Sequence, residues 1–399
     1  MKSRVIGAYL LLGGCLAALS LWRVMPVHGA SADSLGGWNR QTAAHYLDDR
    51  EIWWQEWPRA QKDHGTICIS CHTVVPYAMA RPALQRELGE TTMTAPEKTM
   101  MDSVEKRVSH WSEMVPFYSD AKSGPGKTAE AHATEAVLNA VILASYDARQ
   151  GHLRPITRTA FDEAWALQEK SGDRAGGWKW QDFHLGPWES AESGYQGAAL
   201  LMVEAVNAPD GYAREPEVRQ HLDMERDYLR RQYAAQPVVN QLYVLWASAK
   251  EPGLLTQDER KALLATIQSL QQADGGWRTM ALDKRERVDH SPEPMESDGY
   301  ATGLAVLALE ESGTAHSDKT LKRGLEWLAE HQEKNGTWNA SSINCVWPVA
   351  RANSAKLAVA ATQAEESPMS SSGRLCSSPP SFSAGICGRL SDRRMRDRQ

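Results

Sequence analysis

Two cysteines and a histidine form the clearest chemical motif of the sequence. Cys68, Cys71 and His72 stand in the pattern Cys-x-x-Cys-His. This spacing is typical of c-type haem attachment, because two thiols three positions apart can bond both vinyl groups of one porphyrin while the adjacent imidazole binds the iron. The motif therefore predicts one covalent haem c, with Cys68 and Cys71 as anchors and His72 as the proximal ligand.

Three other interpretations of the motif stay open beside haem. A structural zinc site uses four ligands, and no second Cys or His pair stands nearby in the chain; His64 alone does not complete a set. A thioredoxin-like redox pair is expected at a strand-to-helix turn inside a βαβ pattern, which the sequence lacks. A plain disulfide would not require His72.

The residues around the motif include candidates for the second axial ligand and for the walls of a haem crevice. Methionine would raise the redox potential, although a methionine at helical spacing also suits core packing. The axial candidates are Met79, Met93, Met100, Met101, Met114, His64 and His110. Four flanking tryptophans are expected to wall the crevice or to fill a core: Trp53, Trp54, Trp57 and Trp111.

The chain from about residue 129 onward is predicted to be all-α. Apolar residues recur there at helical spacing between Gly, Pro and Asp breaks, with almost no strand-like alternation. Two of the turns share the pattern Gln-x-x-x-Gly-x-Trp, from Gln271 to Trp277 and from Gln332 to Trp338. A third turn, from Gln168 to Trp178, has an insertion and is interpreted as a degenerate copy. Such repetition predicts a solenoid or toroid of helical hairpins.

These turns resemble the glutamine-tryptophan repeats of the terpenoid cyclase and protein prenyltransferase superfamily, which includes the squalene-hopene cyclases. The resemblance covers roughly residues 129–338 and implies an α/α-toroid. It also implies that Gln271 with Trp277, and Gln332 with Trp338, are structural clamps that tie outer helices together. A buried indole N–H needs an acceptor, and glycine permits the close approach.

Neither catalytic site of that superfamily is recognisable in the chain. Squalene-hopene cyclases use an Asp-x-Asp-Asp acid motif, which does not occur here, and Glu296 with Asp298 is explained by the helix start that follows. Prenyltransferases hold zinc with Asp, Cys and His, but the repeat region has no cysteine before Cys345. Enzymatic activity is therefore left undecided, whereas the apolar centre of the toroid is expected to suit a hydrophobic small molecule.

The amino terminus is typical of an export signal. A short basic start is followed by an apolar run from Val5 to Trp22, so residues 1–32 are predicted to be a signal peptide or a membrane anchor. The remainder would then lie in the periplasm or another extracytoplasmic compartment, where haem c is attached. The net charge of -6 carries no basic footprint, which argues against nucleic-acid binding.

The predicted organisation has three parts after the signal. Residues 36–125 form a helical haem segment, residues 126–344 an incomplete α/α-toroid, and residues 345–399 a disordered tail whose composition also fits a frameshift. The sequence favours an exported haem protein in electron transfer or redox sensing, with a redox partner protein. The alternative is a terpenoid-cyclase-like enzyme or haem oxidase acting on a hydrophobic isoprenoid.

Overall fold

A computed structural model describes residues 37–287, 290–340 and 342–344. The described residues from Trp38 onward belong to a single compact unit. Helices of the predicted haem segment and of the predicted toroid are therefore parts of one folded body. The predicted signal or anchor and the predicted tail lie outside the described residues.

Eleven long helices follow one another in the described part of the chain, which confirms the all-α prediction. The odd-numbered helices bury one face: α1 (Arg40–Glu56), α3 (Ala95–Ser109), α5 (Pro155–Ala166), α7 (Pro216–Gln232), α9 (Gln257–Leu270) and α11 (Lys319–Glu330). The even-numbered helices are buried along most of their length: α2 (Val74–Glu87), α4 (Lys127–Gln150), α6 (Ser193–Asn207), α8 (Val238–Ser248) and α10 (Gly299–Glu311).

The two kinds of helix form an inner and an outer layer. The inner helices contact one another in chain order, from α2 through α4, α6 and α8 to α10. The outer helices are amphipathic and cover them, because their charged residues must stay in water while their apolar stripes need a partner. Six outer and five inner helices lie among the described residues.

Short elements occupy the connections between the long helices. Strands β1 (Gln61–Lys62) and β2 (Thr66–Ile67) form an antiparallel hairpin between α1 and α2. Its turn places His64 in the left-handed region, with a φ of 56°. Short helices span Asp120–Ser123 and Thr279–Leu282.

A glutamine and a tryptophan tie α9 to α11. The Gln271 side-chain amide donates to the carbonyl of Gly275 at 2.8 Å and to the carbonyl of Thr320 at 2.9 Å. The Trp277 indole, which is fully buried, donates to the carbonyl of Ile267 at 2.8 Å. Together these bonds satisfy carbonyls at the end of one outer helix and fix the start of the next.

The same arrangement joins the last outer helix to the first. The Gln332 amide donates to the carbonyls of Gly336 at 3.2 Å and Asn39 at 3.0 Å, and Asn39 is the N-cap of α1. The Trp338 indole donates to the carbonyl of Leu328 at 2.7 Å. Helix α1, from the predicted haem segment, therefore joins the outer layer beside α11.

The degenerate turn makes these contacts as well. The Gln168 amide donates to the carbonyls of Gly176 at 2.9 Å and His221 at 3.1 Å, which links α5 to α7. The Trp178 indole donates to the carbonyl of Ala164 at 2.7 Å. The insertion between Gln168 and Gly176 is accommodated within the turn and leaves the bonds unchanged.

Candidate metal site at one end of the ring

Loops that lead from an outer to an inner helix meet at the end of the ring where the inner helices begin. Residues 57–73, 167–192 and 271–298 form three of these loops. Asn344, beyond α11, accepts a hydrogen bond from the Gly186 N–H at 3.1 Å and donates to the Gly186 carbonyl at 2.8 Å. Residues distant in the chain are thus brought together at this end.

The two motif cysteines are buried in the first of these loops. Cys68 follows β2, and its N–H donates to the carbonyl of Ala60 at 2.8 Å while its own carbonyl accepts the Trp54 indole at 2.8 Å. Cys71 opens the turn that leads into α2. Both thiols are free and each residue is only 7% exposed, so the protein and not the solvent surrounds the sulfurs.

His72 is held in the orientation of a potential metal ligand. Its Nδ1 lies 3.3 Å from the Ser70 hydroxyl, and its ring packs edge-on against Trp54 with centroids 6.4 Å apart. When Nδ1 carries the proton, Nε2 presents its lone pair toward Glu189. Burial lowers the pKa of His72 to about 4, with a smaller lowering by Arg50, so the imidazole is neutral at physiological pH and able to bind a metal.

Glu189 belongs to the site although no sequence motif includes it. Its carboxylate Oε1 lies 3.9 Å from His72 Nε2. The backbone of Glu189 forms an antiparallel bridge with Leu185, with N–H···O distances of 2.8 and 2.9 Å, so the position of this residue is fixed by its loop. Burial raises the pKa of the Glu189 carboxyl to about 7, against a smaller lowering by the Lys127 ammonium.

Cys71, His72 and Glu189 can each direct one ligand atom to a common point. These atoms all lie within 4.8 Å of one another. A thiol, an imidazole and a carboxylate form a donor set for zinc or a similar transition metal. No further ligand for zinc stands near the motif in the chain, but the fold supplies Glu189 from 117 positions downstream.

The thiols do not have the character of a thioredoxin-like pair. Burial raises the pKa of Cys68 and of Cys71, and the nearby carboxylates of Glu135 and Glu189 add to this effect. Reactive redox cysteines instead have lowered pKa values that favour the thiolate. This electrostatic environment argues against the redox-pair interpretation of the motif.

Cys71 of the motif lies near the inner layer of the ring. Charge on Cys71 contributes to raising the pKa of Tyr243, a fully buried residue of α8, although burial is the larger cause. Tyr243 packs against Trp188 with ring centroids 6.4 Å apart, and Trp188 lies 6.1 Å from Tyr300 of α10. Cys71 thus lies near an aromatic cluster formed by two inner-helix tyrosines and the loop residue Trp188.

The four flanking tryptophans are divided between the site and its surroundings. Trp54 contacts His72, as described above, and its ring lies 5.3 Å from that of Trp57. Trp53 stacks on Trp57 at 5.8 Å and is partly exposed, whereas Trp111 packs edge-on against His132. Trp54 is therefore the tryptophan of this group that the structure places against the motif.

The candidates for the second axial ligand lie in several environments. His64 and His110 stack on each other with centroids 4.9 Å apart, near Glu113 on the surface. Among the methionines, Met93 is exposed, and four others are buried: Met79 in α2, Met100 and Met101 in α3, and Met114 after it. The group that faces His72 Nε2 is the Glu189 carboxylate.

The acidic pair before α10 is divided between surface and core. Glu296 is exposed, whereas Asp298 is buried and caps the helix by accepting the Ala301 N–H at 2.9 Å. Asp298 also accepts the N–H of Thr279 at 2.6 Å. Burial raises the pKa of Asp298 to about 6, but its hydrogen bonds are those of a helix cap.

Comparison with known proteins relates the later helices to the squalene-hopene cyclases. Residues 233–347 match the squalene-hopene cyclase C-terminal domain. A squalene-hopene cyclase of Zymomonas mobilis is 34% identical over 106 residues, which are 25% of this chain and 16% of that protein. The region matched is therefore about a sixth of the cyclase. No helix among the described residues meets the length and hydrophobicity needed to span a membrane.

A solved glycosidase structure also resembles this chain in the path of its backbone. It matches 89% of this chain and 98% of its own, with a TM-score of 0.49 and 14% sequence identity.

Proposed function

We propose that this chain carries a c-type haem at the end of its cyclase-like helical ring and acts in electron transfer or redox sensing. The observation that carries the proposal is the buried environment of the motif: two free thiols adjoin an imidazole whose ring is oriented by Ser70 and Trp54.

The residues present fit such a group by their chemistry. Cys68 and Cys71 offer unoxidised sulfurs for thioether bonds, and His72 offers a neutral imidazole to iron. A bound haem supplies one-electron redox chemistry. Trp54 donates to the Cys68 carbonyl, and the Glu189 carboxylate faces the imidazole, so these residues would help to orient the groups that hold the haem.

The test is expression of the full chain together with a haem maturation system, followed by a pyridine haemochrome spectrum. We expect a haem c spectrum from the unaltered chain and its loss in a Cys68→Ala, Cys71→Ala double variant. Cys376→Ala, which alters a cysteine of the tail, is the matched control and should keep its haem. A colourless unaltered protein would refute the proposal.

A second candidate is oxidation of a hydrophobic, isoprenoid-like molecule within the ring. It is favoured by the closeness of Cys71 to Tyr243 of the inner layer and by the cyclase-like residues 233–347. Carbon monoxide distinguishes the two candidates. Prompt binding to the reduced protein indicates an accessible iron and favours oxidation or sensing, whereas inert six-coordinate haem favours electron transfer.

A further inference from the structure

Resting on the proposed function, we infer that Glu189 is a ligand of the metal that His72 binds, and that it provides the second axial ligand when this metal is haem iron. The chain thus holds its metal between the loop before α2 and the loop before α6.

The distance between the two side chains fits joint ligation. Bonds from a transition metal to an imidazole nitrogen or a carboxylate oxygen are about 2 Å long, so two such ligands of one ion lie at most about 4 Å apart. His72 Nε2 and Glu189 Oε1 are 3.9 Å apart. This separation is too long for a hydrogen bond and within the range for two ligands of one ion.

Contacts outside the proposed metal site fix the positions of both side chains. His72 Nδ1 lies 3.3 Å from the Ser70 hydroxyl, and Nε2 is the ring nitrogen that faces Glu189. The backbone of Glu189 is bridged to Leu185. Cys71 adds a third ligand atom, and the ligand atoms of the three residues all lie within 4.8 Å of one another.

Lys127, near Glu189, and Arg50, near His72, are cations engaged with other groups. The Lys127 ammonium lies 2.7 Å from Glu130 and also donates to the carbonyl of Asp182. The guanidinium of Arg50 lies over the Trp53 ring, 3.8 Å from its centroid. These contacts leave the Glu189 carboxylate directed at His72 and Cys71, as the cluster geometry indicates.

A carboxylate ligand has consequences for the iron. An anionic oxygen is a hard donor, so it favours ferric over ferrous iron and lowers the midpoint potential. It also competes with added ligands for the same coordination position. Removing Glu189 should therefore raise the potential and open the iron.

The experiment compares Glu189→Gln and Glu189→Ala with the matched control Glu192→Gln, which alters an exposed carboxylate three positions away. In the haem-loaded full chain, we expect both Glu189 variants to bind azide at least about tenfold more tightly in the ferric state, because the internal competitor is gone. Their midpoint potentials should rise, and the control should match the unaltered protein. Far-UV circular dichroism verifies that each variant is folded.

A second arm uses the full chain expressed without haem and titrated with Co²⁺ alone. Here Glu189→Gln should weaken binding at least about tenfold, and the control should not. A colourless haem preparation with Glu189-dependent Co²⁺ binding would refute the haem function and keep the ligand assignment. Glu189 variants that behave like the control in both arms would overturn the assignment, and a positive haemochrome would then still support the haem function.

Discussion

Burial sets the chemical state of the individual residues at the site. It keeps the imidazole of His72 neutral and the two thiols protonated, and it raises the pKa of Glu189. Without a charged partner, each of these buried groups favours its uncharged form. A metal changes that balance, because it stabilises thiolate and carboxylate together and is itself bound by the neutral imidazole.

Glu51 of α1 allows the cost of a buried carboxyl to be measured away from the site. It is 1% exposed, its Oε2 has no hydrogen-bond partner, and burial raises its pKa to about 7. The folded protein therefore binds this proton more tightly than the unfolded chain does. The stability that results is present below pH 4.5 and is lost as the pH rises to 7.

Replacing Glu51 with Gln should remove the loss of stability that occurs as the pH rises, because glutamine has no carboxyl group to ionise. We expect the variant to be more stable than the unaltered protein by about 2–3 kcal/mol above pH 7, with the difference shrinking toward pH 4.5. Urea unfolding at a series of pH values measures it. Glu56→Gln, an exposed position on the same helix, is the control. A stability difference independent of pH would contradict the argument.

At the level of elements, the glycine turns determine how closely outer helices approach one another. Gly336 has a φ of 89°, and a Cβ atom built there would lie 2.2 Å from the carbonyl oxygen of Thr42 in α1. Gly313 has a similar φ of 83°, but a Cβ atom there would meet nothing within 4 Å. A residue with a Cβ atom would be strained by the positive φ at either position, but at Gly336 it would also collide with α1.

Alanine substitutions at these two glycines should separate strain from crowding. Gly313→Ala should cost about 1–2 kcal/mol, which is the penalty of the left-handed conformation alone. Gly336→Ala should cost at least about 2 kcal/mol more, because backbone atoms of α1 must move. Urea denaturation of both variants gives the comparison, and equal losses would show that the close approach is unimportant.

In the molecule as a whole, the first and last described helices are neighbours. Asn39 and Gln332 are joined by two hydrogen bonds, in which Gln332 accepts the Asn39 N–H at 2.6 Å and donates to the Asn39 carbonyl at 3.0 Å. The rings of Trp38 and Trp338 also meet edge-on at 5.8 Å. The outer layer therefore depends on contacts between residues nearly 300 positions apart.

Loss of the Gln332 side chain should loosen that junction selectively. In Gln332→Ala we expect faster amide exchange at the start of α1, with α6 and α8 unchanged, because local opening requires only the contacts at the junction to break. Hydrogen-exchange mass spectrometry resolves these segments. Gln268→Ala, on an exposed position of α9, should exchange as the unaltered chain does. Uniformly faster exchange would instead indicate global destabilisation.

Features that depend on a few neighbouring residues were predictable from the amino-acid sequence. The helical periods and the Gln-x-x-x-Gly-x-Trp turns were sufficient to predict an all-α ring, because amphipathic spacing and the positive φ of glycine act over a few residues. The Cys-x-x-Cys-His motif was recognised for the same reason: its three residues occupy adjacent positions along the chain.

The distant residues that complete the site and join the ends of the outer layer became visible in the folded chain. Glu189 carries no signal in the sequence, since a lone glutamate in a loop looks like any exposed charge, and burial beside His72 is what distinguishes it. The placement of α1 beside α11 was likewise not predictable, because a hydrogen-bond partner for Gln332 could come from any outer helix. Such pairings depend on how the layers close in space, and no local pattern records that closure.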